Sequence, residues 1–254
     1  MGRCIVASRF RRSLPRLTYL AAFALLASCT PARAPETDAT EEAHIEPNVK
    51  TSFSPEVHAP ALHRHDFVHP LAAVIGAVEL GDEVFVGPGA SVRGDEGQPI
   101  AIGDGSNVQD GAVIHGLETY DDGHVIEGNM VKVGGRAYAV YIGKNVSVAH
   151  QAQIHGPAAV GDNTFVGMQA LVFRAEVGHN CVLEPRALVM GVKVAPGRYV
   201  PAGAVVRTQE QADALPAIDE HYSFAHINDG VLHVNHALAE GYERGAEKRH
   251  HRHK

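Results

Sequence analysis

Three histidines occupy related points of one sequence pattern. His115 follows Ile114, His155 follows Ile154, and His150 stands two residues after Val148. Three imidazoles so placed can supply the nitrogen ligands of a catalytic metal that keeps an open position for water. One such histidine alone would instead be a corner residue or the base of a transferase. Polar groups accompany them. Arg93, Asp95 and Glu96 lie in SVRGDEG (91–97), and Asn107, Gln109, Asp110 and Glu118 lie in SNVQDGAVIHGLE (106–118). A loop carboxylate is in most proteins only solvated, so Glu118 has a bland reading beside a chemical one.

The scaffold that must position these residues shows in a period of six. Small aliphatic residues recur as Leu80, Val86, Val92; as Ile102, Val108, Ile114; and as Ile142, Val148, Ile154, Val160, Val166, Val172. After a one-residue slip the series continues with Val177, Leu183 and Val189, then weakens to Ala195 and Pro201. Neither helical nor strand periodicity produces a six. A triangular parallel β-helix does: each unit makes a short strand and a corner, three units make a coil, and the aliphatic residue points inward. The fold expected is all-β, with a C-terminal α-helical part. Residues 117–139 interrupt the period with an acidic loop and a strand pair around Gly134-Gly135. Thr208 is placed to cap a short helix ended by Pro216. Asn228 is placed to cap a longer one that carries Val231, Val234, Leu238 and Tyr242 along one flank of the β-helix.

The 254-residue chain divides into five parts. Residues 1–28 read as a signal peptide: Arg9, Arg11, Arg12 and Arg16 precede an apolar run over 17–27 that is short for a membrane span. The small residues before Cys29 make it a lipidation site. The chain is then expected to be exported, either periplasmic or held as a membrane-anchored lipoprotein facing the periplasm or the cell exterior. Residues 29–58 read as a flexible tether, 59–207 as the β-helix, 208–246 as helices packed on it, and 247–254 as a His-rich tail. Removing residues 1–28 takes away five arginines and no acid, so the net charge moves from −7 to −12. That balance argues against nucleic acid and anionic lipid as partners. His58, His63, His65 and His69, and His250, His251 and His253, form two further clusters, of a kind that more often does nothing specific than captures metal.

The two segments quoted, with YAVYIGKNVSVAHQAQIHGPAAVGDNTFVGMQALVF (138–173), CVLEPRALV (181–189) and HVNHALAEGY (233–242), resemble the gamma-class carbonic anhydrases, in particular the archaeal-type subclass with an acidic loop. The resemblance implies a left-handed winding and a homotrimer with shared metal sites. His115 and His155 would bind the metal from one subunit and His150 from its neighbour. The metal would be Zn²⁺, Fe²⁺ or Co²⁺, all suited to imidazoles. It implies reversible hydration of CO₂ to bicarbonate by a metal-bound hydroxide, since in carbonic anhydrases zinc brings its water to a pKa of about 7. Gln109 would orient the water, Glu96 would help move its proton, and Glu118 would be the outer shuttle. Arg93, Asp95 and Asn235 would lie near bicarbonate, with Asn107 and Asp110 behind. His233 stands where the prototype has a tyrosine; it could carry protons or be a plain helix residue. Two alternatives stay open: a hexapeptide-repeat acyltransferase, and a non-catalytic gamma-like assembly subunit.

Overall fold

The computed structural model describes residues 43–252, with side chains through residue 245. The signal peptide, Cys29 and the rest of the chain up to residue 42 lie outside the described residues, as do His253 and Lys254.

Short strands stack in parallel into sheets of eight, seven and six strands. In the eight-stranded sheet Val92, Ile114, Ile154, Val172, Val189 and Val206 are successive register partners. Val86, Val108, Val148, Val166, Leu183 and Val200 stack in the seven-stranded sheet. Leu80, Ile102, Ile142, Val160, Val177 and Val194 stack in the six-stranded one. None of these is more than 3% exposed. Each stabilises the solenoid by about 1.5–3 kcal/mol. The inward series therefore ends on Val194, Val200 and Val206, which corrects the expected Ala195 and Pro201. Two later corners turn through a single left-handed residue, Arg174 (φ 50°) or Gly191 (φ 69°), where the earlier one uses Gly156 and Pro157. Each of those coils is one residue shorter, and the frame slips twice.

Two insertions leave the solenoid at the same corner, after Gly94 and after Gly116. The second carries a small hairpin, Tyr120–Asp121 with His124–Val125, and a larger one, Val131–Val133 with Arg136–Tyr138. Gly134 and Gly135, at φ 58° and 83°, make the tight turn that the larger hairpin requires.

The tether is shorter than expected. His44–Glu46 forms a strand that pairs with Ala73–Gly76 at the edge of the eight-stranded sheet. The buried Asn48 side chain holds the following loop through Ser54 Oγ, Glu56 O and the His58 N–H, at 2.9, 2.9 and 2.7 Å. A segment with its polar groups so fully satisfied is structure and not linker.

Thr208 caps helix α1 (Gln209–Asp213) in a reciprocal capping box with Gln211, as expected. Helix α2 spans Ile227–Arg252, so His250 and His251 continue a helix instead of starting a tail. Asn228 is not its cap but lies within its first turn, where its amide donates to Asn145 O at 2.8 Å. His236 Nε2 lies 3.2 Å from Gly105 O, and the Tyr242 ring stacks on Phe67 at 5.3 Å. Helix α2 thus runs back toward the first coil across the seven-stranded sheet. Of the stripe expected to pack there, Val231 joins a cluster with Ala149, Phe165 and Val182. Val234, Leu238 and Tyr242 stay 54, 42 and 45% exposed, so the helix leaves an apolar groove along its side.

Candidate metal centre

Residues directly after the inward aliphatics of the eight-stranded sheet point outward and stack in one row. Arg93, His115, His155, Phe173 and Met190 are successive register partners. The His115 and His155 rings lie 5.3 Å apart at 83°, and Phe173 closes the far edge of His155 at 5.5 Å. His155 Nδ1 is 3.3 Å from Gly156 O, which favours donation there and leaves Nε2 as the free nitrogen. His115 Nε2 lies 2.9 Å from Asp95 Oδ1, 3.1 Å from an Arg93 guanidinium nitrogen and 3.5 Å from Glu96 Oε1.

The lengthened corner at 95–99 brings these carboxylates onto the histidines. Their environments separate them. The hydrogen bond with His115, then the Arg93 charge, hold Asp95 below the usual carboxylate range. Burial pushes Glu96 up; the His115 charge partly offsets this, while the Asp95 and Glu118 charges add to it. A cleft of about 400 Å³ is lined by Glu96 and Glu118 together with Ser52, Phe53, Tyr120 and Ile126. Ser52 and Phe53 were not anticipated as site residues, because nothing in the composition of 43–58 separates it from a linker.

A second cluster of the predicted residues lies at the corner that follows the seven-stranded sheet. There Gln109 and Asp110 stack on Ala149 and His150 of the next coil, with His150 Nδ1 3.8 Å from Asp110 Oδ1. The Gln109 amide nitrogen donates to Asn107 Oδ1, and Asn107 donates to Ser147 Oγ, both at 2.9 Å. That chain of bonds fixes Gln109 in a groove of about 610 Å³ whose walls include His150, Phe165, Met168, Val234 and Asn235. Asn235 is buried and donates to Val231 O at 2.9 Å. His233 is exposed on α2 and does not line the groove.

The residues singled out in the sequence therefore fall into two sets. Arg93, Asp95, Glu96, His115, Glu118 and His155 gather on one face, while Asn107, Gln109, Asp110 and His150 gather at the corner that precedes it, with Asn235 of α2 against them. Two imidazoles side by side among carboxylates have the donor chemistry of a divalent-metal site lacking a ligand. Among the described residues no three His, Cys, Asp or Glu side chains of one chain are grouped to hold an ion. The histidine cluster before the first coil makes pairs instead, His65 with Asp82 at 3.0 Å and His58 with Glu56 at 3.5 Å.

No family model matches the chain. The chain is similar to a carbonic anhydrase of Methanosarcina thermophila, 53% identical over 211 residues, which covers 83% of this chain and 85% of that one. It is 33% identical over 148 residues to a mitochondrial gamma carbonic anhydrase 2 of Arabidopsis thaliana, covering 58% of this chain and 46% of that one. It is also 43% identical over 193 residues to the carboxysome assembly protein CcmM of a Nostoc species, covering 76% of this chain but a third (33%) of that longer protein. Among solved structures, a putative acetyltransferase of Bacillus cereus matches with a TM-score of 0.56 at 19% identity, over 74% of this chain and 93% of that one. A hexapeptide transferase family protein of Anaplasma phagocytophilum matches with 0.54 at 24%, over 73% and 93%. These two share only the fold, a left-handed β-helix of hexapeptide repeats. Identity above one half along most of both chains is a different order of likeness, and by it this chain belongs to the gamma-class carbonic anhydrases.

Proposed function

We propose that the protein is a carbonate dehydratase that interconverts CO₂ and bicarbonate, working as a homotrimer whose sites form where one subunit's His115–His155 face meets its neighbour's His150 corner. The observation that carries this reading is the register pairing of His115 with His155 under the Glu96 carboxylate, in a chain of this family. Each half lacks what the other holds, and a cyclic trimer closes such repeated contacts. His115, His155 and a neighbour's His150 would hold Zn²⁺, with Fe²⁺ or Co²⁺ also suited. Such a metal, when bound, supplies a water acidified to near neutrality, as zinc does in carbonic anhydrases at large.

The protein's own groups divide the remaining work. Glu96, kept basic by burial, accepts a proton beside His115, and Glu118 passes it along the cleft to buffer. Arg93 offers a cation to the developing anion, with Asp95 holding its guanidinium. Gln109, fixed by Asn107, presents its carbonyl oxygen as an acceptor that orients water, and Asn235 stands at the groove wall. His233, away from the groove in a single chain, is a candidate second proton carrier. The acidic loop allies the protein with the archaeal-type subclass. The basic and apolar residues before Cys29 favour an exported lipoprotein; Cys29→Ala should then abolish lipid attachment, and unchanged membrane retention would count against it.

The test is protein purified without oxygen, assayed for bound metal and for CO₂ hydration, beside His115→Ala, His150→Ala and His155→Ala. Each variant should lose both metal and hydration. Stoichiometric metal without hydration in the parent would leave an assembly subunit, and consumption of acyl-CoA would favour a transferase.

A further inference from the structure

The two carboxylates of the proton path belong to different insertions, so their separation must be set by whatever ties those insertions together. The tie is made at Thr119, which is wholly buried. Its N–H donates to Glu96 O at 2.9 Å, and its hydroxyl donates to the same oxygen at 3.0 Å. The hydroxyl also accepts from the Gln98 N–H at 2.7 Å, and the Gln98 side chain donates to Tyr120 Oη at 2.9 Å. Behind it, Ile126 N–H donates to Thr119 O at 2.9 Å and the Asn129 amide donates to Glu118 O at 2.8 Å. Gly97, at φ 106°, completes the clamp: a Cβ there would run into the Thr119 hydroxyl and the Tyr120 ring. Only glycine lets the two segments approach so closely.

We propose that Thr119 is the positioning residue of the proton path, clamping the root of the acidic loop to the Glu96 backbone and so setting the separation of the Glu96 and Glu118 carboxylates. The proposal rests on the hydration chemistry above. Proton transfer needs its partners within hydrogen-bond reach or one water apart. A long surface insertion otherwise opens at little cost.

Thr119→Val keeps the side-chain shape and removes the hydroxyl. Its kcat should fall about fivefold while kcat/KM stays within about twofold, and an imidazole-type buffer should restore the loss. Thr119→Ser should behave as the parent, and Gly97→Ala, which displaces Thr119 from the other side, should behave as Thr119→Val. In the metal-free protein, hydrogen exchange at the Thr119 and Ile126 amides should quicken about tenfold in Thr119→Val and not in Thr119→Ser. An unchanged kcat overturns the proposal, as does a joint fall of kcat and kcat/KM that no buffer rescues. If the metal-loaded parent does not hydrate CO₂, the functional reading fails by itself. Amide exchange needs neither metal nor turnover, so it still decides whether Thr119 holds the loop, and unchanged exchange overturns the clamp.

Discussion

The proton-accepting role proposed for Glu96 has a cost for its own fold. Burial raises its pKa, so the folded chain binds this proton more tightly than the unfolded one does. The resulting stability is fully present below the ordinary glutamate range, about pH 4.3, and is lost as pH rises through the folded value. As it ionises, the carboxylate therefore weakens the metal-free protein. Glu96→Gln should raise the metal-free melting temperature by about 2 °C at pH 7 and by little at pH 4, while hydration falls. An equal or lower melting temperature at pH 7 would refute this. The histidines were legible because the repeat frame assigns their positions a direction, whereas Asp95, Glu96 and Glu118 lie in insertions outside the frame and were singled out by the family resemblance. His115 and His155 share one phase of the repeat, and so do Arg93 and Phe173. Their distribution between two surfaces came only from the family resemblance, since periodicity says which way a side chain points but not which coils and corners face a common space.

The elements divide by how much of their energy is local to the pattern. The solenoid was readable because its interior admits one small aliphatic per strand. The second frame slip was missed because Ala195 and Pro201 are apolar enough to continue the series, while a single left-handed residue at Gly191 had already shortened the coil. The strand His44–Glu46 and its loop hold through backbone pairing and one buried asparagine, neither of which leaves a periodic trace. Helix α2 was legible as a helix, but its anchor was mistaken for a cap. Asn228 fastens it to Asn145 O, and with His236 and Tyr242 it holds the wall that carries Asn235 beside His150. Asn228→Ala should cost about 1 kcal/mol of stability, measured by denaturant midpoint, and should raise protease sensitivity around 227–231 first. A midpoint equal to the parent's would mean that the aromatic stack alone holds the helix.

At the scale of the whole molecule, the two-set arrangement makes a mixing experiment discriminating. Chains carrying His115→Ala and His150→Ala each keep one intact half. After subunit exchange, about a quarter of the sites in random trimers should be complete. Chains carrying Gln109→Ala and His150→Ala are damaged in the same half, so mixing them should recover nothing beyond the parents' residual activity. Recovery in the second mixture would place Gln109 with His115 and defeat the partition.

The short N-terminal strand bears on how the molecule behaves at high concentration. A stacked-coil protein has ends, and an end is a row of unspent backbone donors and acceptors that another molecule can extend. Without residues 43–58 the terminal strand of the eight-stranded sheet would be Ala73–Gly76, an Ala-Val-Ile-Gly strand suited to addition of a foreign strand. With them, the terminal strand is three residues of His-Ile-Glu followed by Pro47, charged, brief and lacking the next donor. Among the described residues this strand is the end of the sheet, and we expect it to cap the sheet against end-to-end growth. Protein beginning at residue 59 should grow end to end in a concentration-dependent way under light scattering, and particles that remain trimer-sized would show that the bare edge is harmless.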